Sequence, residues 1–143
     1  MRLKFFLAIF ILLLAMSLQF WFASAGVFIN FTLATLMVFA FSMDLWELLV
    51  FILFSVYVIN WQPAMSVEIG VFAIIPLVAY GFRMIFPWKP WAAIPAAILC
   101  GYLVLYIFVA PRAFFVNWEI FLMDLFGSLV FAGLALTALD RAA

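Results

Sequence analysis

Few side chains in this sequence could do chemistry, and Asp124 is the foremost of them. It sits among Leu122, Met123, Leu125 and Phe126, well inside an apolar run. An ionisable group in such a run is expensive, at roughly 3 kcal/mol or more in hydrocarbon, so it asks for a reason. Three reasons fit. Asp124 could carry a proton or cation, it could anchor another subunit through hydrogen bonds, or it could sit near the headgroups beside Glu119. Glu68 and Asn117 are the other candidates. Glu68 opens an apolar segment, where the positive end of a helix favours a carboxylate, and Asn117 lies just ahead of the Asp124 segment. A pocket lined by Glu68, Asn117 or Asp124 would point to ligand binding, whereas an interior filled by the chain itself would point to a scaffold.

Most other chemistry is excluded by residue types that are missing. The chain has no histidine and one cysteine, Cys100, which reads as a small apolar filler. Disulfide frameworks, Cys/His zinc sites and histidine-based catalysis are therefore ruled out. No glycine-rich phosphate loop, paired intramembrane carboxylates or Ser-Lys or Asp-Asp protease pattern occurs. The expectation is a protein that is not an enzyme and holds neither metal nor cofactor. Six basic residues cancel six acidic ones, so no basic face awaits nucleic acid.

The elements that must position these residues follow from composition. The 143 residues are 73% hydrophobic and 8% charged, against about 45–50% and about 25% in ordinary globular chains. This predicts an all-α, polytopic membrane bundle in which residues 1–143 form a single domain. Residues 5–43 carry no charge, and as one helix they would reach about 58 Å, too long for a bilayer core of about 30 Å. The punctuation Ala23-Ser24-Ala25-Gly26 places a turn there. Asp44, followed three residues later by Glu47, has the pattern of a capping box and starts a further helix. Asn60-Trp61-Gln62-Pro63, the stretch from Phe86 to Trp91, and Pro111-Arg112 mark the later breaks. Six transmembrane helices result, at about 4–23, 28–42, 45–60, 66–86, 91–110 and 116–139.

Charge placement favours six crossings over five. With the N- and C-termini both inside, Arg2, Lys4, Arg83, Lys89 and Arg141 face the cytoplasm and only Arg112 faces out, as the positive-inside rule requires. Were 28–60 one crossing, the cations would divide evenly. All six tryptophans (Trp21, Trp46, Trp61, Trp88, Trp91 and Trp118) fall near expected helix ends, the headgroup level their rings prefer. The expected location is the inner (plasma) membrane, multi-pass. Arg2, Lys4 and Ala23-Ser24-Ala25 also have the outline of a cleavable leader, but the bulky Phe20-Trp21-Phe22 before the alanines favours a retained first helix.

Packing in lipid rests on close backbone approach and interhelical hydrogen bonds. Ala93, Ala97 and Gly101 repeat every fourth residue on helix five, with Ala92, Ala96 and Cys100 one position back. Helix six offers Gly127, Ser128, Ala132, Gly133 and Ala135. These are expected helix-packing faces. The 20 phenylalanines are expected on lipid- and partner-facing surfaces, Pro76 is expected to kink helix four, and Gln19, Asn30 and Asn60 are expected at solvated outer ends.

Six short helices, with the second and third joined by a tight inner turn, resemble the cell-shape membrane protein family MreD. That family's fold in turn looks like the substrate-binding subunits of energy-coupling-factor (ECF) transporters. Ser17-Leu18-Gln19 is similar to the MreD ending of helix one. Gly26-Val27-Phe28-Ile29-Asn30-Phe31-Thr32-Leu33 is similar to the start of its helix two, with Ile29 where proline is usual. Asp124 and Gly127, then Leu129 to Leu139 and Arg141, are similar to its closing helix, with Asp124 roughly where an asparagine is common. The family's glycine-rich third helix has no counterpart in Phe51 to Trp61. The Ala-x-x-x-Ala pattern of ECF subunits is absent from helix one, where Ala8 and Ala15 stand apart.

The resemblance implies a non-enzymatic scaffold of the cell-shape and peptidoglycan elongation machinery. Its partners would be membrane lipids and another membrane protein, an MreC-like single-span protein or a wall synthase such as RodA. A small-molecule-binding subunit of an ECF-type transporter is the competing expectation.

Overall fold

The computed structural model describes residues 2–26, 29–59, 67–86, 88–109 and 111–142. Seven helices occupy them: α1 (Arg2–Ser24), α2 (Phe31–Ser42), α3 (Leu45–Ile59), α4 (Val67–Ile85), α5 (Pro90–Val109), α6 (Pro111–Val116) and α7 (Trp118–Ala142). Three of them, over Leu3–Ser24, Pro90–Val109 and Trp118–Arg141, are long and apolar enough to cross a membrane, and three shorter apolar helices accompany them.

The bundle is organised around α2. Every residue from Phe31 to Ala40 is buried, because α1, α3, α4, α5 and α7 all pack against this one helix. Hydrogen bonds at its two ends fix the direction of its neighbours. Lys4 of α1 and Arg83 of α4 reach the C-terminal end of α2, at Ser42 and Met43. Gln19 of α1, Tyr102 of α5 and Asp124 of α7 reach its N-terminal end. Thus α1 and α5 run opposite to α2, whereas α4 and α7 run with it.

Local chemistry explains most of the boundaries. Gly26 ends α1 with φ +84°, a left-handed conformation that glycine adopts without a Cβ penalty; its N–H and that of Ala25 donate to the carbonyls of Ala23 and Phe22. Asn30 caps α2, so this helix begins at Phe31 and not near residue 28. At the start of α3 the Glu47 carboxylate accepts from the Asp44 N–H at 3.4 Å, one half of the expected capping box. Pro90 occupies the first position of α5, where its missing N–H would have had no helical partner. Pro111 does the same for α6, a six-residue helix in the stretch expected to be a simple break. Helix α4 runs unbroken through Pro76. Residues 60–63, which carry the expected break after helix three, lie outside the described residues.

The phenylalanines divide between two environments, contrary to the expectation that they would mostly face outward. Phe31, Phe39, Phe51, Phe72, Phe121 and Phe131 are buried in the core, and Phe39 and Phe51 pack with ring centroids 5.0 Å apart. Phe6, Phe10, Phe108 and Phe126 face outward instead. The five described tryptophans are exposed at helix ends.

Candidate functional site

A helix start leaves its first N–H groups without intrahelical partners, and in an apolar interior each must be met by a side chain. Helix α2 begins in such an interior. The Asn30 side chain accepts from Leu33 N at 3.1 Å. Gln19 Oε1 accepts from Thr32 N at 3.1 Å and from Thr32 Oγ1 at 2.7 Å. The N–H of Asn30 itself donates to Asp124 Oδ1 at 2.7 Å. Gln19 and Asn30 are therefore half-buried structural partners, not the solvated end positions expected of them.

A second layer closes over this one. Tyr106 donates to Asp124 Oδ2 at 2.5 Å, and Ser128 donates to Asp124 Oδ1 at 3.2 Å. The Tyr102 hydroxyl lies 2.5 Å from the Asn30 carbonyl and 2.6 Å from Ser128 Oγ, donating its one proton across the two. Asp124 is 4% exposed, and Tyr102 and Ser128 are wholly covered. Both carboxylate oxygens are engaged, and the three donors that reach them come from the same chain. Among the described residues no buried side-chain nitrogen or oxygen lacks a partner.

The opposite end of α2 is met by cations. Lys4 Nζ donates to the Ser42 carbonyl at 2.9 Å. Arg83 Nη1 donates to the carbonyls of Met43 at 2.9 Å and Ala40 at 3.3 Å. A carboxylate at the N-terminus and two cations at the C-terminus both complement the helix macrodipole. Asp124, Lys4 and Arg83 thus hold one helix at its two ends.

The other sequence candidates lie elsewhere. Asn117 is exposed between α6 and α7, its carbonyl accepting from Ile120 N at 3.0 Å. Glu68 is the second residue of α4, and its side chain lies outside the described residues. Among the described residues no group of three His, Cys, Asp or Glu could hold a metal ion.

The small-residue faces serve different ends. A β-carbon on Gly127 would lie 2.9 Å from Ile29 Cδ1, and one on Gly101 would lie 2.7 Å from Met37 Cε and 2.8 Å from Ile75 Cγ2. Those two glycines permit close contact. Gly133 has nothing within 4 Å of such a carbon, so no close helix approach requires glycine there. Ala93, Ala97 and Gly101, with Ala96 and Cys100, form one wall of an apolar cleft of about 600 Å³. Residues of α4, among them Val71, Ile75 and Phe82, form the other wall, and Met37 and Phe41 of α2 lie beneath. Part of the expected packing strip therefore borders open space. Neither Asn117 nor Asp124 lines this cleft.

Comparison with protein-family models, curated proteins and solved structures finds no match.

Tyr102 and Tyr106 were not singled out in the sequence, although a signal existed. Two tyrosines four residues apart share one helix face, as do Asp124 and Ser128, and each pair lies in an otherwise apolar segment. Two matching polar faces in two apolar helices predict that the helices meet there.

Proposed function

We propose that this chain is a non-enzymatic membrane scaffold of the MreD type, serving the cell-shape and peptidoglycan elongation machinery. In this reading it lies in the inner (plasma) membrane and crosses it six times with both termini in the cytoplasm. It binds partner membrane proteins, such as an MreC-like single-span protein or a wall synthase, through its outer helix faces. The observation that carries the reading is the self-contained polar centre. Asp124 spends both oxygens on donors of its own chain, so among the described residues the buried carboxylate is engaged and does not face a ligand as the polar group of a binding site would.

The proposed topology has support of the same kind. Lys4 and Arg83 gather at one end of α2, the end assigned to the cytoplasm, while the Asp124 network marks the outer end.

Three measurements test the proposal. Cysteine-accessibility labelling of tags at the two termini is expected to find both inside; opposite sides would overturn the six-crossing map. Affinity purification is expected to recover a single-span membrane protein, and loss of the gene to round up rod-shaped cells. Unchanged shape, with a co-purifying ABC ATPase pair and stabilisation by a small molecule, would replace the scaffold with an ECF-type binding subunit.

A further inference from the structure

We infer that the cleft between α4 and α5 holds an acyl chain of an anionic phospholipid, whose phosphate rests against Lys89. This does not depend on the scaffold reading. Among the described residues the lining carries no charged, hydroxyl or amide side chain, and its polar hydrogens are those of Trp88 and Cys100. A polar metabolite would lose its hydration there without compensation, so the occupant is hydrocarbon.

Width and volume separate a lipid chain from a partner helix. Helices α4 and α5 pack together, closing where Gly101 meets Ile75. Packed helix axes lie about 8–10 Å apart, which leaves no room between them for a third helix about 10 Å across. The α5 wall from Ala93 to Phe108 runs roughly 24 Å, and a helix of that length fills roughly 1,900 Å³, about three times the cleft of about 600 Å³. One leaflet is roughly 15 Å deep, half the bilayer core, so a single extended chain fits along the trough.

Charge selects the headgroup. At the α4–α5 turn the cleft is bounded by Phe82, Phe86 and Trp88. The Phe82 and Phe86 rings stack at 6.0 Å, and Trp88 lies 6.3 Å from Phe86. The Trp88 indole, amphipathic and exposed, marks the headgroup level. Lys89 comes immediately after Trp88 and is exposed. Arg83 and Lys4, two further cations at this end, are spent on α2 carbonyls, whereas among the described residues nothing engages the Lys89 ammonium. A phosphate is the partner such a point charge takes.

The test is native mass spectrometry of the full chain, released by mild detergent from bilayers of phosphatidylcholine and phosphatidylglycerol in equal parts. The expected result is one retained phospholipid per chain, with phosphatidylglycerol preferred. Ala97→Phe and Ala96→Leu fill the trough and are expected to lower the retained fraction roughly tenfold, equivalent to about 1.4 kcal/mol. Lys89→Gln is expected to keep a lipid but lose the preference for phosphatidylglycerol. Circular dichroism in the same detergent reports which variants fold, and Ala96→Leu, the smaller change, carries the test if Ala97→Phe does not. A bare wild-type chain, equal retention of the two lipids, a polypeptide seated there instead, or a folded trough-filling variant as loaded as wild type would each overturn the proposal.

Discussion

Replacing Asp124 separates hydrogen-bond acceptance from mere occupancy of space. Asp124→Leu removes the acceptor for three donors: Asn30 N–H, Tyr106 O–H and Ser128 O–H. A stranded buried donor costs about 1–3 kcal/mol in water-soluble proteins. Interhelical hydrogen bonds in a membrane protein average about 0.6 kcal/mol. Three of them therefore bracket the loss between roughly 2 and 9 kcal/mol. Relaxation moves the value toward the lower limit. Ser128 can turn to the Asn30 carbonyl, already 3.5 Å away, and half-buried Tyr106 can reorient. Only the Asn30 N–H, fixed by the backbone, is left without recourse. The expected loss is about 3 kcal/mol.

Asp124→Asn makes the contrast. Its remaining oxygen still accepts from Asn30 and Ser128, and its new amide donates to the Tyr106 oxygen, reversing that bond. The expected loss is about 1 kcal/mol or less. The gap of about 2 kcal/mol between the variants is roughly a 30-fold difference in the folded-to-unfolded ratio. Tryptophan fluorescence during SDS titration of the purified protein in mixed micelles measures it. A Leu variant within about 0.5 kcal/mol of wild type would refute the anchoring role. An Asn variant as damaged as the Leu variant would show that charge, rather than acceptance, is what the site needs.

The glycines of α7 give an opposed pair. Gly127→Ala pushes a carbon to 2.9 Å from Ile29 Cδ1 and 3.1 Å from the branched Cγ2, and is expected to destabilise by about 1–3 kcal/mol in the same titration. Gly133→Ala meets open space and is expected to stabilise by up to about 1 kcal/mol through helix propensity. Tyr102→Phe removes the hydroxyl shared by Asn30 and Ser128, both of which keep other partners, so its thermal unfolding is expected to report only about 1 kcal/mol of loss. Arg83→Ala uncovers the Ala40 and Met43 carbonyls, and SDS unfolding is expected to show up to about 2 kcal/mol of loss. Arg83→Lys is expected to recover part of that loss.

The class of fold was legible because apolar run length and its punctuation are strong signals. Ala23 to Gly26, Asp44 with Glu47, and Pro90 each mark a boundary that the helices respect. The central place of α2 was not legible, and the reason is physical. In a soluble bundle an apolar stripe tells the inner face from the outer. Lipid is as apolar as a protein core, so that contrast fades, and α2 reads much like α3. Asn30 was misplaced for a related reason. A lone asparagine between apolar segments looks like a wetted end, and only the tyrosine pair on α5 and the Asp124–Ser128 pair on α7 reveal that these two helices cover it. Helix α6 was hidden because a proline such as Pro111 ends one helix and equally well opens the next.

The dimensions of α2 explain why the polar centre exists at all. Twelve residues give about 18 Å, far short of a hydrocarbon core of about 30 Å. A lipid-facing helix that short would end with bare N–H and C=O groups in hydrocarbon, which bilayers do not tolerate. Surrounded by five helices, α2 ends within protein instead, and each end has been given side chains of the sign its dipole requires. Many of the interior's polar residues are thereby committed to one short helix: Gln19, Asn30, Tyr102, Tyr106, Asp124 and Ser128 at its start, Lys4 and Arg83 at its finish. Among the described residues, the outer helix faces and the α4–α5 cleft are the parts of the molecule its own chain leaves uncovered.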